Sequence, residues 1–288
     1  LSFSFGEKCG ESADSKRPYK AVVTKVYDVT GDGGIDMVDV AELFKSGDNA
    51  LTQLNGDGDF RSLECVNLLD EADIVVTNPP FSLFREFVSL IVEHQKNFII
   101  IGNQNAISYE ETFSLMKNNK MWIGASIHSG DRAFFVPDDY PLDAAGCGID
   151  EETGRKYIRV KGVRWFTNLD IKQRHEEMIL VRRYIPDEYP KYVNYNAIEV
   201  AKTSDIPCDY SGEMGVPITF MDKYNPDQFE IVGISRELVR TLSDDVRKNG
   251  AYPQIGRFYL DAGEAKYKKV YERLVIRNKH PEVPKEAQ

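Results

Sequence analysis

The feature that most constrains the fold is a regular alternation of apolar runs and amphipathic segments in the first half of the chain. Residues 73–77, 97–102 and 121–125 predict strands, because each run is short, apolar and bounded by turn residues. Residues 82–95 and 108–117 place apolar side chains three and four positions apart, which predicts helices between those strands. Fully apolar strands joined by helices are typical of a parallel sheet with both faces covered. We therefore expect an α/β fold with buried strands.

The two predicted helices also carry start signals. Ser82 is expected to be the N-cap of the first helix. The buried stripe of that helix is predicted to contain Phe84, Phe87, Val88 and Ile91. Ser108 and Glu111 have the spacing of a capping box for the second.

Other elements follow from shorter patterns. We predict strands at 20–29, 133–136, 157–160, 163–167 and 178–182, helices at 37–45 and 63–71, and a helix followed by a strand over 265–278. From Pro186 onward the sequence is irregular and rich in Tyr, Pro and Asp, which indicates a smaller mixed region beginning near residue 185.

Composition excludes several classes of protein. Hydrophobic residues make up 42% and charged residues 28% of the 288 residues, as in soluble globular proteins. No apolar run reaches the length of a membrane span, and the N-terminus lacks the pattern of a signal peptide. The four cysteines are scattered without a CxxC pair, which favours neither zinc nor a disulfide framework. We expect a cytoplasmic protein without a membrane partner.

Charge gives a mixed indication of partners. The net charge of −10 argues mildly against binding to nucleic acid, because affinity for DNA comes largely from Lys and Arg. Basic residues nevertheless cluster within 155–164 (Arg155, Lys156, Arg159, Lys161 and Arg164) and again within 266–279. From charge alone we interpret both clusters as solvated faces.

The segment that carries chemistry is Asn78-Pro-Pro-Phe81, which follows a predicted strand and precedes a predicted helix. One reaction that such a segment suits is methylation of an exocyclic adenine amine. This amine is a poor nucleophile, because its lone pair is delocalised into the ring. Two acceptors at its hydrogens would localise the lone pair, and the Asn78 side-chain oxygen and the Pro79 carbonyl can supply them. Consecutive prolines such as Pro79 and Pro80 make the loop rigid. Phe81 can stack on a base extruded from the duplex.

As a bare tetrapeptide this segment is more often a proline-terminated strand with a hydrophobic turn. The strand before it and the helix after it favour the catalytic interpretation. Asn103 follows the next apolar strand, at the edge where ligands bind, so a contact with substrate or cofactor is one hypothesis for it, beside a structural role.

The loop resembles the (D/N/S)PP(Y/F) motif of amino-methyltransferases. Longer blocks are similar to the EcoRI-type adenine-specific (N6) DNA methyltransferase family: 54–62, 78–86, 101–103, 163–169 and 214–220. The resemblance covers about residues 50–235.

This resemblance implies a Rossmann-like, S-adenosylmethionine-dependent core at residues 1–185 and a target-recognition region at 186–288. Asn78, Pro79, Pro80 and Phe81 would then be the catalytic residues that receive a flipped adenine. Asp57, Asp59 and Phe60 would bind the cofactor, with Asp59 accepting from its adenine amine and Phe60 covering the ring. Arg61 contacts phosphate or pairs with a local carboxylate. The implied setting is a restriction–modification system, with double-stranded DNA as partner and a cognate endonuclease that forms no stable complex.

The family also uses a cofactor loop after an earlier strand, which we expect to lie upstream of Leu1. On this interpretation Leu1–Phe5 would be the remainder of the second strand. Gly31–Gly34 is a weaker substitute, because it reads as a hairpin-like turn.

The main alternative belongs to a different class of function. Residues 28–39 resemble the calcium loop of EF-hand and dockerin modules, with Asp28, Thr30, Asp32 and Asp39 at ligand positions. Residues 53–64 fit the same register with a poor first ligand. The chain would then be a calcium-binding module, and a further alternative is a non-catalytic DNA-binding fragment. We prefer the methyltransferase, because the calcium interpretation leaves residues 73–235 unexplained.

Overall fold

The computed structural model describes residues 18–31, 33–35, 37–47, 49–125, 132–143 and 146–283. The predicted strand remainder at Leu1–Phe5 and the predicted calcium ligand Asp32 lie outside this range.

Within it, the helices are α1 (Met37–Lys45), α2 (Leu63–Glu71), α3 (Phe84–Glu93), α4 (Glu110–Lys117), α5 (Ser235–Leu238) and α6 (Asp244–Asn249). The strands are β1 (Tyr19–Val22), β2 (Ala50–Gln53), β3 (Ile74–Thr77), β4 (Asn97–Asn103), β5 (Trp122–Ile123), β6 (Arg132–Phe135), β7 (Cys147–Ile149), β8 (Lys156–Val160), β9 (Val163–Thr167), β10 (Ile198–Glu199), β11 (Met214–Pro217), β12 (Phe229–Ile234), β13 (Tyr259–Asp261), β14 (Tyr267–Lys269) and β15 (Arg273–Asn278). The mixed α/β character expected from the sequence is confirmed.

The chain divides into two compact units, Leu1–Asp73 and Ile74–Gln288. In the first, β1 pairs antiparallel with β2, and the predicted helices α1 and α2 are confirmed. The predicted strand at 20–29 is wrong beyond Val22. The backbone N–H groups of Thr24 and Lys25 donate to the Asn49 side chain instead, at 2.8 and 3.1 Å. Side-chain acceptors can replace a ladder partner, and here they end the strand.

The second unit contains a four-stranded sheet in the order β3-β4-β9-β5. β3 and β4 are parallel, as predicted, but β9 runs antiparallel between β4 and β5. The expectation of an all-parallel sheet is therefore wrong. The expectation that β3 is buried is also wrong, since Ile74 is 49% and Val76 65% exposed. Among the described residues β3 pairs only with β4.

Helix α3 packs through the predicted stripe, with Phe84, Val88 and Ile91 buried and Phe87 half-buried. Phe84 meets Phe166 of β9 edge-on at a centroid distance of 5.1 Å. Gly102 makes this contact possible, because a Cβ there would lie 2.4 Å from Phe84 Cε2.

Both predicted helix caps are wrong for one physical reason. A 3-10 turn precedes each α-helix and moves its start towards the C-terminus, to Phe84 and to Glu110. Ser82 lies inside the first 3-10 turn, and the N-cap residue of α3 makes no side-chain hydrogen bond. Ser108 Oγ donates to the Asn105 carbonyl at 2.9 Å.

β6, β8 and β7 form a separate sheet, here called the three-stranded sheet, with both pairings antiparallel. The predicted strands at 133–136 and 157–160 are confirmed within it to a residue or so. Of the basic cluster at 155–164, Arg164 does not lie on a solvated face. It is 3% exposed on β9, and its Nε lies 3.3 Å from Asp222 Oδ1.

The C-terminal sheet has the order β10-β11-β15-β12 and holds the largest part of the core of the second unit. Its fully buried side chains include Met214, Val216, Phe229, Leu274, Val275 and Ile276. Glu199 of β10 is 7% exposed and pairs with Arg273 of β15, with Oε1 and Nη2 2.6 Å apart. The Tyr192 hydroxyl donates to the same carboxylate, and burial raises the pKa of this phenol.

Two sequence predictions are wrong in this region. Residues 265–278 contain β14 and β15 and no helix. Residues 178–182 form no strand, because the Gln228 side chain binds both the N–H and the carbonyl of Met178, each at 2.8 Å. In the part of the chain that the structure describes, helices are all too short or too polar to cross a membrane.

Candidate active site

The Asn78–Phe81 loop begins directly after Thr77, the last residue of β3. Pro79 is buried, whereas Asn78, Pro80 and Phe81 are exposed. Pro80 has φ −54° and ψ 130°, and its carbonyl accepts from the Leu83 N–H at 2.9 Å. A buried proline thus anchors the loop while its neighbours present their side chains to solvent.

The two acceptors expected from the sequence remain available. Among the described residues, neither the Asn78 side chain nor the Pro79 carbonyl has a hydrogen-bond partner. Because Asn78 is exposed, its amide loses nothing by lacking an internal partner and can accept from a ligand. The ring of Phe81 is 40% exposed, so one part of it can contact a planar group.

The neighbouring strand brings a second set of residues to this edge. β4 runs parallel to β3 and ends at Asn103, so both strands deliver their following loops to the same side of the sheet. Asn103 Oδ1 accepts from the Asn105 N–H at 2.9 Å and caps the following 3-10 helix. The sequence signal for Asn103 therefore has a structural explanation, and its predicted ligand contact stays a prediction.

The predicted cofactor residues lie in the first unit, in a tight turn before α2. The Asp57 carboxylate accepts from the Asp59 N–H at 3.0 Å, which fixes the turn. Arg61 binds Asp59 with two nitrogens, Nε to Oδ1 at 3.0 Å and Nη2 to Oδ2 at 2.7 Å. The hydrogen bonds from Arg61 lower the pKa of Asp59 to about 2. Of the two roles open for Arg61, the structure shows the pair with a local carboxylate.

These residues fit an adenine-bearing cofactor. Asp59 Oδ2 accepts one hydrogen bond from Arg61 and keeps a lone pair for an amine donor. The Phe60 ring is half-buried, and the Arg61 guanidinium carbon lies 5.3 Å from its centroid. Sequence reasoning did not anticipate that Arg61 contacts both Asp59 and Phe60. The i,i+2 spacing of Asp59 and Arg61 was the available signal.

The calcium alternative finds no support. Asp28 accepts from the Gly31 and Gly33 N–H groups at 2.6 and 2.9 Å, and Asp39, fully buried, accepts from Val29 and Thr30. These carboxylates organise the loop backbone. Among the residues described, no group of three or more His, Cys, Asp or Glu side chains is placed to hold a metal ion.

The second loop is organised in the same way. Glu64 accepts from the N–H groups of Asn55 and Gly56 at 3.1 and 3.0 Å, and these bonds lower its pKa. The loop is therefore closed by the first turn of α2.

Comparison with known proteins decides the family. A family model described as adenine-specific methyltransferase EcoRI matches residues 4–279. This chain belongs to that family. It is 49% identical over 187 residues to the type II methyltransferase M.EcoRI of Escherichia coli, an alignment that covers 64% of this chain and 57% of that protein. The chain thus spans less than two thirds of this relative.

Two Mycoplasma relatives align over more of the chain. The type II methyltransferase M.MpnI of Mycoplasma pneumoniae is 38% identical over 229 residues, or 78% of this chain and 70% of that protein. The type II methyltransferase M.MgeORF184P of Mycoplasma genitalium is 37% identical over 230 residues, or 78% and 71%. No solved structure matches the chain.

Proposed function

We propose that this chain transfers a methyl group from S-adenosylmethionine to the N6 amine of a specific adenine in double-stranded DNA, in a restriction–modification system. The observation that carries the proposal is the Asn78–Phe81 loop. It offers the exposed Asn78 side chain and the backbone carbonyl of the buried Pro79 as acceptors, on a proline-fixed backbone at the carboxyl end of β3. Family membership supports the same chemistry, since the matching model is described as adenine-specific.

The chain's own residues act on the amine. Asn78 Oδ1 and the Pro79 carbonyl each accept a hydrogen bond from one of its two N–H groups. These bonds localise the lone pair on nitrogen and direct it towards the methyl donor. S-adenosylmethionine supplies, when bound, an electrophilic methyl group. Fixed acceptors lower the barrier by positioning and by stabilising the positive charge that develops on nitrogen. This is preorganised electrostatics rather than proton transfer by a side chain of shifted pKa.

Phe81 holds the base. An adenine inside a duplex is out of reach, so the target base must leave the stack, at an energetic cost of a few kcal/mol. The exposed part of the Phe81 ring offers a stacking surface that offsets part of this cost. Pro79 is the buried residue of the loop, and its burial keeps the two acceptors fixed relative to the Phe81 ring.

Asp59 and Phe60 would hold the cofactor's adenine, by a hydrogen bond to its amine and by contact with its face. Asp57 supports them by fixing the turn. The Rossmann-like core at residues 1–185 and the target-recognition region at 186–288 remain part of the proposal. The parallel pair β3 and β4 supports the first.

The test compares two substitutions at one position. Asn78→Ala removes the acceptor, and we expect methyl transfer to fall by about 10²–10³-fold, the usual effect of losing one such group. Asn78→Asp keeps an acceptor oxygen and should retain clearly more activity than Asn78→Ala. The measurement is transfer of labelled methyl groups to a duplex, with S-adenosylmethionine binding followed by calorimetry on the same samples.

Both variants should fold and bind the cofactor like the wild type, because Asn78 is exposed and has no internal partner among the described residues. Near-wild-type transfer by Asn78→Ala would show that the loop does not act on the amine.

A further inference from the structure

The three-stranded sheet leads directly into the four-stranded sheet β3-β4-β9-β5. β8 continues through a turn at Gly162 directly into β9. The Gln104 N–H donates to the Gly162 carbonyl, and Gly162, with φ +68°, lies against the Asn103 and Gln104 side chains. This turn therefore sits at the end of β4, on the side where β3 delivers the Asn78–Phe81 loop.

This sheet has no core of its own. Across the described residues from 133 to 162, none is buried. On one face Phe134 and Cys147 lie opposite Ile158, and Ile149 lies opposite Lys156, so this face is mostly apolar. Neither face of the three strands is buried, and exposed apolar and aromatic side chains of this kind indicate a surface that contacts a partner.

The other face has a different character and is here called the arginine face. Phe135 pairs with Tyr157 across β6 and β8, and Arg159 lies two residues farther along β8 on the same side. The Arg155 guanidinium carbon lies 4.1 Å from the Phe135 ring centroid, and that of Arg159 lies 5.6 Å from the Tyr157 ring centroid. Both arginines are exposed.

Within the described part of the chain, no carboxylate pairs with Arg155 or Arg159. An arginine stacked on a ring keeps its planar edge of N–H donors free for a second ligand, and phosphates and base edges suit that edge. Ala133 is a small residue on the same face, and the Tyr157 side chain lies over Gly148.

The acidic residues of this sheet do not lie on its strands. They occur in the two turns at the ends of the strands: Asp138, Asp139, Asp143, Asp150, Glu151 and Glu152. Asp150 accepts from the Thr153 N–H and hydroxyl at 2.8 and 2.7 Å and organises its own turn. Arg159 lies on β8 away from these turns, whereas Arg155 directly follows the second turn, and its carbonyl accepts from the Asp150 N–H at 2.9 Å.

We infer that the arginine face of the three-stranded sheet docks on duplex DNA beside the target base. This inference rests on the proposed function and adds a contact surface outside residues 186–288. An antiparallel ribbon fits into a DNA groove, and arginines stacked on aromatic rings bind phosphates and base edges. Docking here holds the duplex next to the loop that receives the extruded adenine.

The experiment measures duplex affinity by fluorescence anisotropy over a series of salt concentrations, using a double-stranded oligonucleotide that the wild type methylates or, failing that, random-sequence duplex. We expect Arg155→Ala/Arg159→Ala to weaken binding by about tenfold or more and to lower the salt slope by about 2, one for each lost phosphate contact. S-adenosylmethionine binding should not change. Phe135→Ala should weaken binding with a smaller change in slope.

The matched control is Lys120→Ala/Lys172→Ala, which removes the same charge from exposed positions of the same unit outside the proposed target-recognition region. An equal loss in both double variants, or a loss in neither, would overturn the docking and leave the proposed function standing if the wild type transfers methyl groups. A wild type that binds no duplex would also overturn it. Duplex binding that depends on the arginine face without any methyl transfer would support the docking and refute the proposed function.

Discussion

The three-stranded sheet and the C-terminal sheet belong to the same unit but use their side chains in opposite ways. The C-terminal sheet buries Phe229, Leu274, Val275 and Ile276 almost completely, whereas the described residues of the three-stranded sheet include none that is buried. Burial ties a side chain to the stability of the fold, while exposure leaves it free for contact with other molecules. The difference suggests that one sheet maintains the structure and that the other can change its side chains at little energetic cost.

The difference in stability between the two sheets should be largest when a phenylalanine is removed from a strand of each. Phe229→Ala in β12 removes a fully buried ring that meets Phe220 edge-on at 5.2 Å, and it should lower the free energy of unfolding by about 3–5 kcal/mol. Phe134→Ala in β6 removes a ring that is 42% exposed, and it should cost about 1 kcal/mol or less. Urea denaturation measures both, and equal losses would show that the three-stranded sheet is also a structural core.

Ion pairs should divide in the same way. Glu199→Ala leaves the charge of Arg273 nearly buried and takes the acceptor from Tyr192, so we expect a loss of about 3 kcal/mol. Glu282→Ala breaks the pair with Arg183, whose two side chains are more than half exposed, and should cost about 1 kcal/mol or less. A small effect of Glu199→Ala in the same denaturation experiment would mean that the C-terminal sheet relaxes around the loss.

Adding a methyl group at a glycine should reveal a third, smaller difference between the two sheets. A Cβ at Gly215 would lie 2.0 Å from the hydroxyl of buried Tyr192, so Gly215→Ala should cost about 1–3 kcal/mol. A Cβ at Gly148 would lie 2.8 Å from the Tyr157 hydroxyl, but that half-exposed side chain can move. Gly148→Ala should therefore shift the melting temperature less than Gly215→Ala, and the reverse order would contradict the assignment of the two sheets.

A pH-dependent contact gives the smallest expected effect. His175 bridges Asp227 and Asp170, with ring nitrogens 2.7 and 2.8 Å from the carboxylates, and these hydrogen bonds raise its pKa above the usual 6.5. Protonated His175 therefore stabilises the fold at pH values below 6.5, and this contribution is lost as the pH rises through the raised pKa.

His175→Gln should consequently remove the fall in melting temperature that the wild type shows as the pH rises above about 6.5. His280→Gln is the control, because its exposed ring has no carboxylate partner among the described residues. If His175→Gln keeps the wild-type profile, the bridge does not contribute to stability.

The same contrast between local and distant interactions explains what the sequence could predict. The helix at 63–71 and the strand at 163–167 agree with the structure to the residue, because each has a continuous local pattern. The position of β9 between β4 and β5 could not be read from the sequence, since pairing over such distances depends on the whole sheet. The caps at Ser82 and Ser108 failed because preceding 3-10 turns moved the helix starts.

For the candidate site, the sequence could predict the loop but not the elements that pack around it. The strand before Asn78 was predicted, but the burial of Pro79 and the exposure of Val76 depend on which elements pack against them. The basic cluster at 155–164 was interpreted as one solvated face. Strand alternation and packing divide it, so that Arg164 is buried while Arg155 and Arg159 are exposed.

The insertion of β9 between β4 and β5 has a consequence for the order of synthesis. When β4 leaves the ribosome, the strand that will cover its free edge lies about 60 residues downstream, and translation at about 5–20 residues per second needs roughly 3–12 s to reach it. During this interval the apolar edge of β4 is open to incorrect pairing. The four-stranded sheet can be completed only after the three-stranded sheet has been made, because β6, β7 and β8 precede β9 in the chain. Delays or errors in the insertion of β9 should therefore reduce the yield of correctly folded protein without changing any residue of the Asn78–Phe81 loop.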